Sequence, residues 1–381
     1  MAHDKILIAH KLLRGRNNMG LNKEEVSGLA GIDVSRIDAL ESGTVEPSGD
    51  EILILADIYK EDFRYFISNQ NLSSAETVDE LYRLNGSITN TDKRAIQSFI
   101  FHSANEQFLL DVLGKKKDVF KMPIVSNERI LKNDGVKIAQ ALRQFLGYKD
   151  TEAYQNLYQE FRRIGIHIFR TRLEDSNLSG LFVKHPVADK CVLVNFDENL
   201  YRQNFTLCHE VGHALMDGSS YNVSYQAQKD FREYRANAFA SEFLMPKDII
   251  KQISPSSITP NSVVSYASRF RVNVQAFLIA LENAGVISPE KKAEYSKMGL
   301  RVPRDQQIDY ELEDLTTYLR EAYEMMFNRG ITPFYVRLCY ESYEKGLITI
   351  ERMSEMLDVS LFELPYLLDL FKLKLSNGNS L

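Results

Sequence analysis

The segment His209-Glu210-Val211-Gly212-His213 sets two imidazoles and a carboxylate within five residues. Four residues of α-helix turn the chain through about 400°, so His209 and His213 lie about 40° apart on one face. Both imidazoles can then reach one zinc ion, and Glu210 beside them can take a proton from a water activated there. A catalytic zinc site needs a third protein ligand and one open position. Glu233 follows His213 by 20 residues, which is long enough for the chain to turn and send back a second helix. Asn237 lies one turn further on the same face, where its amide can hydrogen-bond a ligand. Glu242 is the rival third ligand, but it lies about 180° from Glu233 around that helix, so the two cannot share a site. Ala236, Ala238 and Ala240 allow the two helices to pack closely. Zinc is the expected metal, and manganese can substitute at a nitrogen and oxygen donor set.

The elements that must position these groups show in the change of hydrophobic period along the chain. Residues 165–170, 180–184 and 190–196 are short β-branched and aromatic runs between polar turns, which predicts three strands of a small antiparallel sheet. Helices are expected near 203–216 and 229–244, the second ended by Pro246. The remainder, including 79–113, 127–162 and the region after the loop at 254–260, carries helical patterns. The fold class is therefore mainly α with a small antiparallel sheet.

Composition bounds the function. The chain has 381 residues and a net charge of −6, which excludes a globally basic, DNA-coating protein. No apolar run approaches the length of a membrane helix, and Met1-Ala2-His3-Asp4-Lys5 has no signal-peptide pattern, so a cytoplasmic protein without membrane partners is expected. Three cysteines, Cys191, Cys208 and Cys339, form no CxxC, which argues for a reducing compartment and against a cysteine zinc site. Cys208 precedes the motif but points about 100° away from His209, so it is expected to be a small buried residue. His3, His10, His102, His167 and His185 have no partner spacing and are expected to be structural or solvated.

Two stretches resemble known families. Arg202, Phe205, Thr206, His209, Glu210, Gly212 and His213, then Glu233, Ala236, Asn237, Phe239, Ala240, Leu244, Met245 and Pro246, resemble the motifs of the ImmA/IrrE metallopeptidases over about residues 127–250. That resemblance implies a zincin-like peptidase core in which His209, His213 and Glu233 bind zinc and Glu210 is the base. It also implies a regulatory protein substrate, often a helix-turn-helix repressor cleaved under stress, with control of stress, mobile-element or toxin–antitoxin genes. The family commonly has a second Glu two residues before the Asn. Here Arg235 stands there, a departure expected to lie away from the chemistry.

Residues 5–67 read as five short helices, with Asn22/Glu25 and Ser48/Glu51 as capping boxes and Asp33 as a further N-cap. Glu25, Ala30, Gly31, Ile32, Ile37, Glu41, Gly43 and Pro47 resemble the Xre/Cro helix-turn-helix family. Where that family usually has Gln at the start of its second helix, this chain has Lys23, and the recognition helix carries Asp33, Arg36, Asp38 and Glu41. Residues 1–68 hold eight basic and twelve acidic side chains, which disfavours phosphate neutralisation. Any DNA contact must come from Lys11, Arg14, Arg16, Lys23 and Arg36. Protein recognition or dimerisation is the alternative role.

The expected organisation is a helix-turn-helix domain at 1–68, a helical connector at 69–125, a metallopeptidase domain with a helical extension at 126–303, and a C-terminal helical domain at 304–381. Residues 346–370 again have helix-turn-helix-like spacing, with Ser360 and Glu363 as a capping box. Their acidic character points to packing or oligomerisation, so a homodimer is among the expected assemblies. Tyr221, Tyr225 and Tyr234 are near enough in sequence to be considered as oxyanion partners. The competing class is a DNA-binding regulator or antitoxin-like binding protein with a structural or vestigial metal site. The presence of Glu210 argues against it, because a structural site needs ligands but no base.

Overall fold

Two reciprocal caps organise the N-terminal module. The Asn22 side chain accepts from the Glu25 backbone and the Glu25 carboxylate accepts from the Asn22 backbone, both at 2.8 Å. Ser48 and Glu51 repeat the device. The five helices are α1 (Lys5–Asn18), α2 (Lys23–Ala30), α3 (Val34–Glu41), α4 (Gly49–Ile58) and α5 (Phe63–Ile67). Asp33 occupies the N-cap position of α3 but makes no side-chain cap bond. Their apolar faces close over Leu12, Val26, Ile37, Leu40, Leu55, Tyr59 and Phe66, which form a core separate from the rest of the chain.

The computed structural model describes residues 4–68, 88–123, 132–149, 154, 156–174, 178–217, 226–312 and 317–375. The first part of the connector expected at 69–125 (residues 69–87) lies outside the described residues, as do His3, Tyr221, Tyr225 and the first residues of the helical pattern at 79–113. After the module come α6 (Asn90–Val112), α7 (Lys132–Phe145) and α8 (Leu157–Arg163), then three strands, then α9 (Leu200–Met216) and α10 (Gln226–Leu244). Among the described residues eight further α-helices follow, from Lys247–Ile250 to Leu364–Leu370.

The strands are β1 (Ile166–Thr171), β2 (Gly180–His185) and β3 (Asp189–Asn195), in the order β1-β3-β2. β2 pairs with β3 antiparallel, as neighbours joined by a tight turn should. β1 pairs with β3 parallel, with Ile168 opposite Val192, so the sheet is mixed and the expectation of a purely antiparallel sheet is corrected. β1 and β2 both lie at the edges, and β3, reversed relative to β2 through a tight turn, fills the middle position and so runs in the direction of β1.

Side chains alternate across this sheet, and both faces are covered. Ile166, Ile168, Phe182, Val192 and Val194 join one core with α7, α8, α9, α10 and the helices up to Val302. Phe169, Leu181, Val183, Cys191 and Leu193 join a second core with α6 and the C-terminal helices. Two stretches far apart in sequence thus share one layer behind the sheet. Arg170 links this layer to the strands. Fully buried, it reaches Asp309 at 2.8 Å and Glu311 at 2.9 Å, while Arg162 takes Glu311 at 2.6 Å and the Phe327 ring lies 4.1 Å from the Arg170 guanidinium. Among the described residues, no helix is long and apolar enough to cross a membrane.

The N-terminal module rests on this body through polar contacts. Arg94 of α6 donates to the Met19 carbonyl at 3.1 Å, and Gln97 donates to the Lys60 carbonyl and to Glu61 at 3.1 Å each. Lys60 reaches Asp358 at 2.9 Å.

Candidate metal centre

Helix α9 lies on the sheet and carries its motif on the side away from the core. Asn199 caps it, accepting from the Tyr201 backbone, and Leu207, Cys208, Val211 and Ala214 are fully buried against the first core. The opposite stripe carries His209, Glu210 and His213, all only partly exposed. Helix α10 packs across α9 at close range. A Cβ on Gly212 would stand 3.3 Å from the Cα of Ala236 and 3.2 Å from the Phe239 ring, so the two backbones meet where one residue has no side chain. On its other side α10 meets α7 still more closely, since a Cβ on Gly135 would lie 2.2 Å from the Arg235 carbonyl oxygen. Helix α10 is held between two glycines, and this fixes where its polar residues fall.

The result is a convergence of donors. His209 Nε2 and His213 Nε2 lie 3.1 Å apart. Glu233 places one oxygen 3.2 Å from His209 Nε2 and the other 3.5 Å from His213 Nε2. Zinc–ligand bonds near 2.0–2.1 Å in a tetrahedron put ligand atoms about 3.3 Å apart, and the two imidazole nitrogens, with one Glu233 oxygen near each, are spaced on that scale. Among the described residues this trio is the set of His, Cys, Asp and Glu groups close enough together to hold a metal. Glu242 is elsewhere: it is buried on the far face of α10, accepting from Gln140 at 2.9 Å and from the Lys247 backbone at 3.3 Å.

The electrostatics favour positive charge between these groups. Burial opposes a proton on His213, but hydrogen bonds to Asp217 and Glu233 outweigh it and carry its pKa up to about 10. Hydrogen bonds from His209 and His213 hold the Glu233 carboxyl well below the ordinary carboxylate range. Glu210 goes the other way. Burial raises its affinity for a proton, partly offset by the two histidines and by the Phe182 backbone, which hydrogen-bonds it from strand β2. A carboxylate primed to accept a proton thus stands next to a cluster primed to hold a cation.

Each histidine is oriented through its second nitrogen. His209 Nδ1 lies 3.1 Å from Asn237 Oδ1. His213 Nδ1 lies 2.7 Å from Asp217 Oδ2, and Asp217 in turn is hydrogen-bonded by Arg235. This corrects the expectation for Arg235, which was placed away from the chemistry. Asp217 escaped sequence reasoning, although its spacing of four from His213 on the same helix was a usable signal. Tyr234 is 58% exposed on α10, and Tyr221 and Tyr225 lie outside the described residues, so no oxyanion partner is assigned. Cys191, Cys208 and Cys339 are free and buried, and burial pushes the Cys208 thiol far up, out of the range of a reactive thiolate.

The five cations of the N-terminal module have a different surrounding. Lys11 is buried and donates at 2.6 Å to both the Tyr65 and Ser68 carbonyls. Arg16 grips Glu41 with two bonds of 2.6 and 2.9 Å. Lys23 pairs with Asp38. Arg36 holds Glu51 at 2.8 and 2.9 Å and the Glu46 carbonyl at 3.0 Å. Arg14 is half-buried on α1.

Comparison with known proteins agrees with this division. Residues 161–282 match the peptidase family described as the IrrE N-terminal-like domain, a span that takes in all three strands and every residue of the candidate metal centre. Residues 12–66 match the helix-turn-helix family. Over 109 residues the chain is 28% identical to a protein named metallopeptidase ImmA from Bacillus subtilis (strain 168), a match covering 28% of this chain and 63% of that one. The chain therefore spans less than two thirds of the curated relative's length. The resemblance to ImmA/IrrE metallopeptidases and to helix-turn-helix proteins holds at these two stretches, and the chain joins a helix-turn-helix region to a metallopeptidase-type region.

Proposed function

We propose that this protein is a zinc-dependent endopeptidase of narrow specificity whose substrate is a regulatory protein. The reading is carried by one observation: one ligand atom each of His209, His213 and Glu233 converge within 4.8 Å of one another beside a half-buried Glu210. His209, His213 and Glu233 would hold the metal, which would supply Lewis acidity at a peptide carbonyl and lower the pKa of the attacking water. Glu210 accepts a proton from the attacking water as its oxygen bonds to the scissile carbonyl carbon. The same carboxyl then delivers the proton to the amine as the C–N bond breaks. The Phe182 backbone and the wall of α9 hold the Glu210 carboxyl in place for both transfers. Asn237 and Asp217 keep the two imidazoles turned so that Nε2 faces the metal position.

The fused helix-turn-helix region fits a substrate of repressor type, with cleavage releasing genes for stress responses, mobile elements or a toxin–antitoxin pair, in the cytoplasm. DNA contact through residues 1–68 is proposed as weak and salt-sensitive, because Lys11, Arg16, Lys23 and Arg36 already have internal partners. The test is to purify the chain with the repressor-like protein encoded beside its gene and follow cleavage. Glu210→Gln keeps the size of the side chain and removes the base. It should retain metal and lose cleavage, and normal cleavage by that variant would overturn the mechanism.

A further inference from the structure

We propose that Asp217, clamped by Arg235, is the positioning residue for the ligand His213, so that the two histidines of one site are oriented by partners of unlike charge. The inference rests on the reading of His209, His213 and Glu233 as a metal site.

Asp217 is the residue at which α9 ends. Its backbone N–H bonds the His213 carbonyl at 2.8 Å, and its Oδ2 lies 2.7 Å from the Nδ1 of that same histidine. One residue thus fixes the backbone and the ring of a ligand together. The Asp217 side chain is only 11% exposed, and a buried carboxylate is costly unless it is paired and hydrogen-bonded. The pairing comes from α10. Arg235, itself 5% exposed, donates to the other carboxylate oxygen and to the Met216 carbonyl at 3.4 Å, and Arg232 Nε stands 3.8 Å from that same oxygen. His213, Asp217 and Arg235 form a continuous link between the two helices that carry the ligands, made without the metal.

His209 has no such charge behind it. Its Nδ1 meets the neutral amide oxygen of Asn237 at 3.1 Å. Both partners fix the tautomer, leaving Nε2 free to ligate, but only the carboxylate adds negative charge to the ring and makes it a stronger donor. Helix α10 therefore contributes three times to the centre, through Glu233 directly, Asn237 through His209, and Arg235 through Asp217 and His213. A shift of α10 along α9 would disturb all three.

The experiment uses the full-length chain and zinc itself. Zinc affinity is measured by competition with a chromophoric chelator for the wild type, His213→Ala, Asp217→Asn and Arg235→Gln. The visible absorption of the Co(II)-loaded proteins reports ligand geometry, and urea unfolding without metal reports the fold. Asp217→Asn is expected to weaken zinc binding by about 10–100-fold and to alter the Co(II) bands. Arg235→Gln leaves the carboxylate but releases its clamp. It should weaken binding several-fold in the same direction, and it carries the test if Asp217→Asn does not fold. Wild-type affinity and an unchanged Co(II) spectrum in both variants, with binding abolished in His213→Ala, would overturn the positioning role and leave the metal site standing. A wild type that takes up no zinc would overturn both.

Discussion

The candidate metal centre and the helix-turn-helix module both present charged side chains on short helical spans, but the charges are turned in opposite senses. In the centre, His209, His213 and Glu233 point their donor atoms at one another across a gap of zinc size, and their other atoms are tied down by Asn237, Asp217 and Arg235. In the module, cations that could meet phosphate are engaged by the module itself: Arg16 by Glu41, Arg36 by Glu51, Lys11 by two carbonyls. The first arrangement gathers its donor atoms about one point. The second is already complete, and a helix-turn-helix scaffold built this way positions its helices without needing a nucleic acid to neutralise it.

The sharpest way to break the comparison is at Glu210. If the centre is built to act on a bound water, Glu210→Gln should reduce cleavage of the partner protein by at least about 100-fold while metal content stays near one ion per chain. Elemental analysis beside a cleavage assay reads both numbers. His209→Ala and Glu233→Ala should lose metal and cleavage together, and metal retained in both would remove the site.

The opposite prediction applies to Arg16 in the module. Its partner Glu41 is buried, so removing the guanidinium strands a carboxylate in the core. Arg16→Ala should destabilise the module by about 3 kcal/mol, against less than about 1 kcal/mol for Lys23→Ala, whose ion pair with Asp38 is exposed. Urea unfolding followed by a probe in residues 1–68 tests the ordering. Equal effects would mean that Arg16 is not a structural cation and is free for another role.

A DNA titration sharpens the same point. With four of five candidate cations engaged internally, binding to upstream DNA should show a log–log salt slope of magnitude below about 3, at roughly 0.9 per phosphate neutralised. A slope of about 5 or more would require those ion pairs to open on DNA. Arg36→Ala should lower the stability of α3 against α4 as well as any sequence preference, because Arg36 bridges α3 to Glu51 and the Glu46 carbonyl.

What the sequence made legible follows from distance along the chain. The i, i+4 geometry of His209 and His213, the capping boxes at Asn22 and Ser48, and the three strand segments depend on neighbours within a few residues, and the structure places them within a residue or two of the expected bounds. The parallel pairing of β1 with β3 was not legible, because strand patterns give burial and not partners. Nor was the core that α6 shares with the C-terminal helices, or the Arg170–Asp309 pair, whose members are 139 residues apart. The Arg235–Asp217 contact belongs to the same class: each residue is an ordinary surface type until the two glycines at 135 and 212 bring α10 down onto its neighbours.

The smallest expected effect concerns how the module sits on the body, and it depends on pH. Burial pushes the carboxyl of Glu61, which accepts from Gln97 of α6, from its ordinary 4.5 up to about 7. Below pH 4.5 the group is protonated in both folded and unfolded chains and contributes no pH dependence. As pH rises from 4.5 towards 7 the unfolded chain releases the proton and the folded one keeps it, so stability falls. Above about pH 7 the loss is complete. Glu61→Gln keeps an oxygen for Gln97 and has no charge to bury, so it should be more stable than the wild type at pH 8 and indistinguishable from it near pH 4.5. Part of the Glu61 side chain reaches water, which limits the gain at pH 8 to about 1 kcal/mol, or about 4–8 °C in the unfolding of the module. Thermal scans of both proteins at the two pH values decide it, and a gain of the same size at both would show that the contact with α6 is improved by the amide itself and not by loss of the charge.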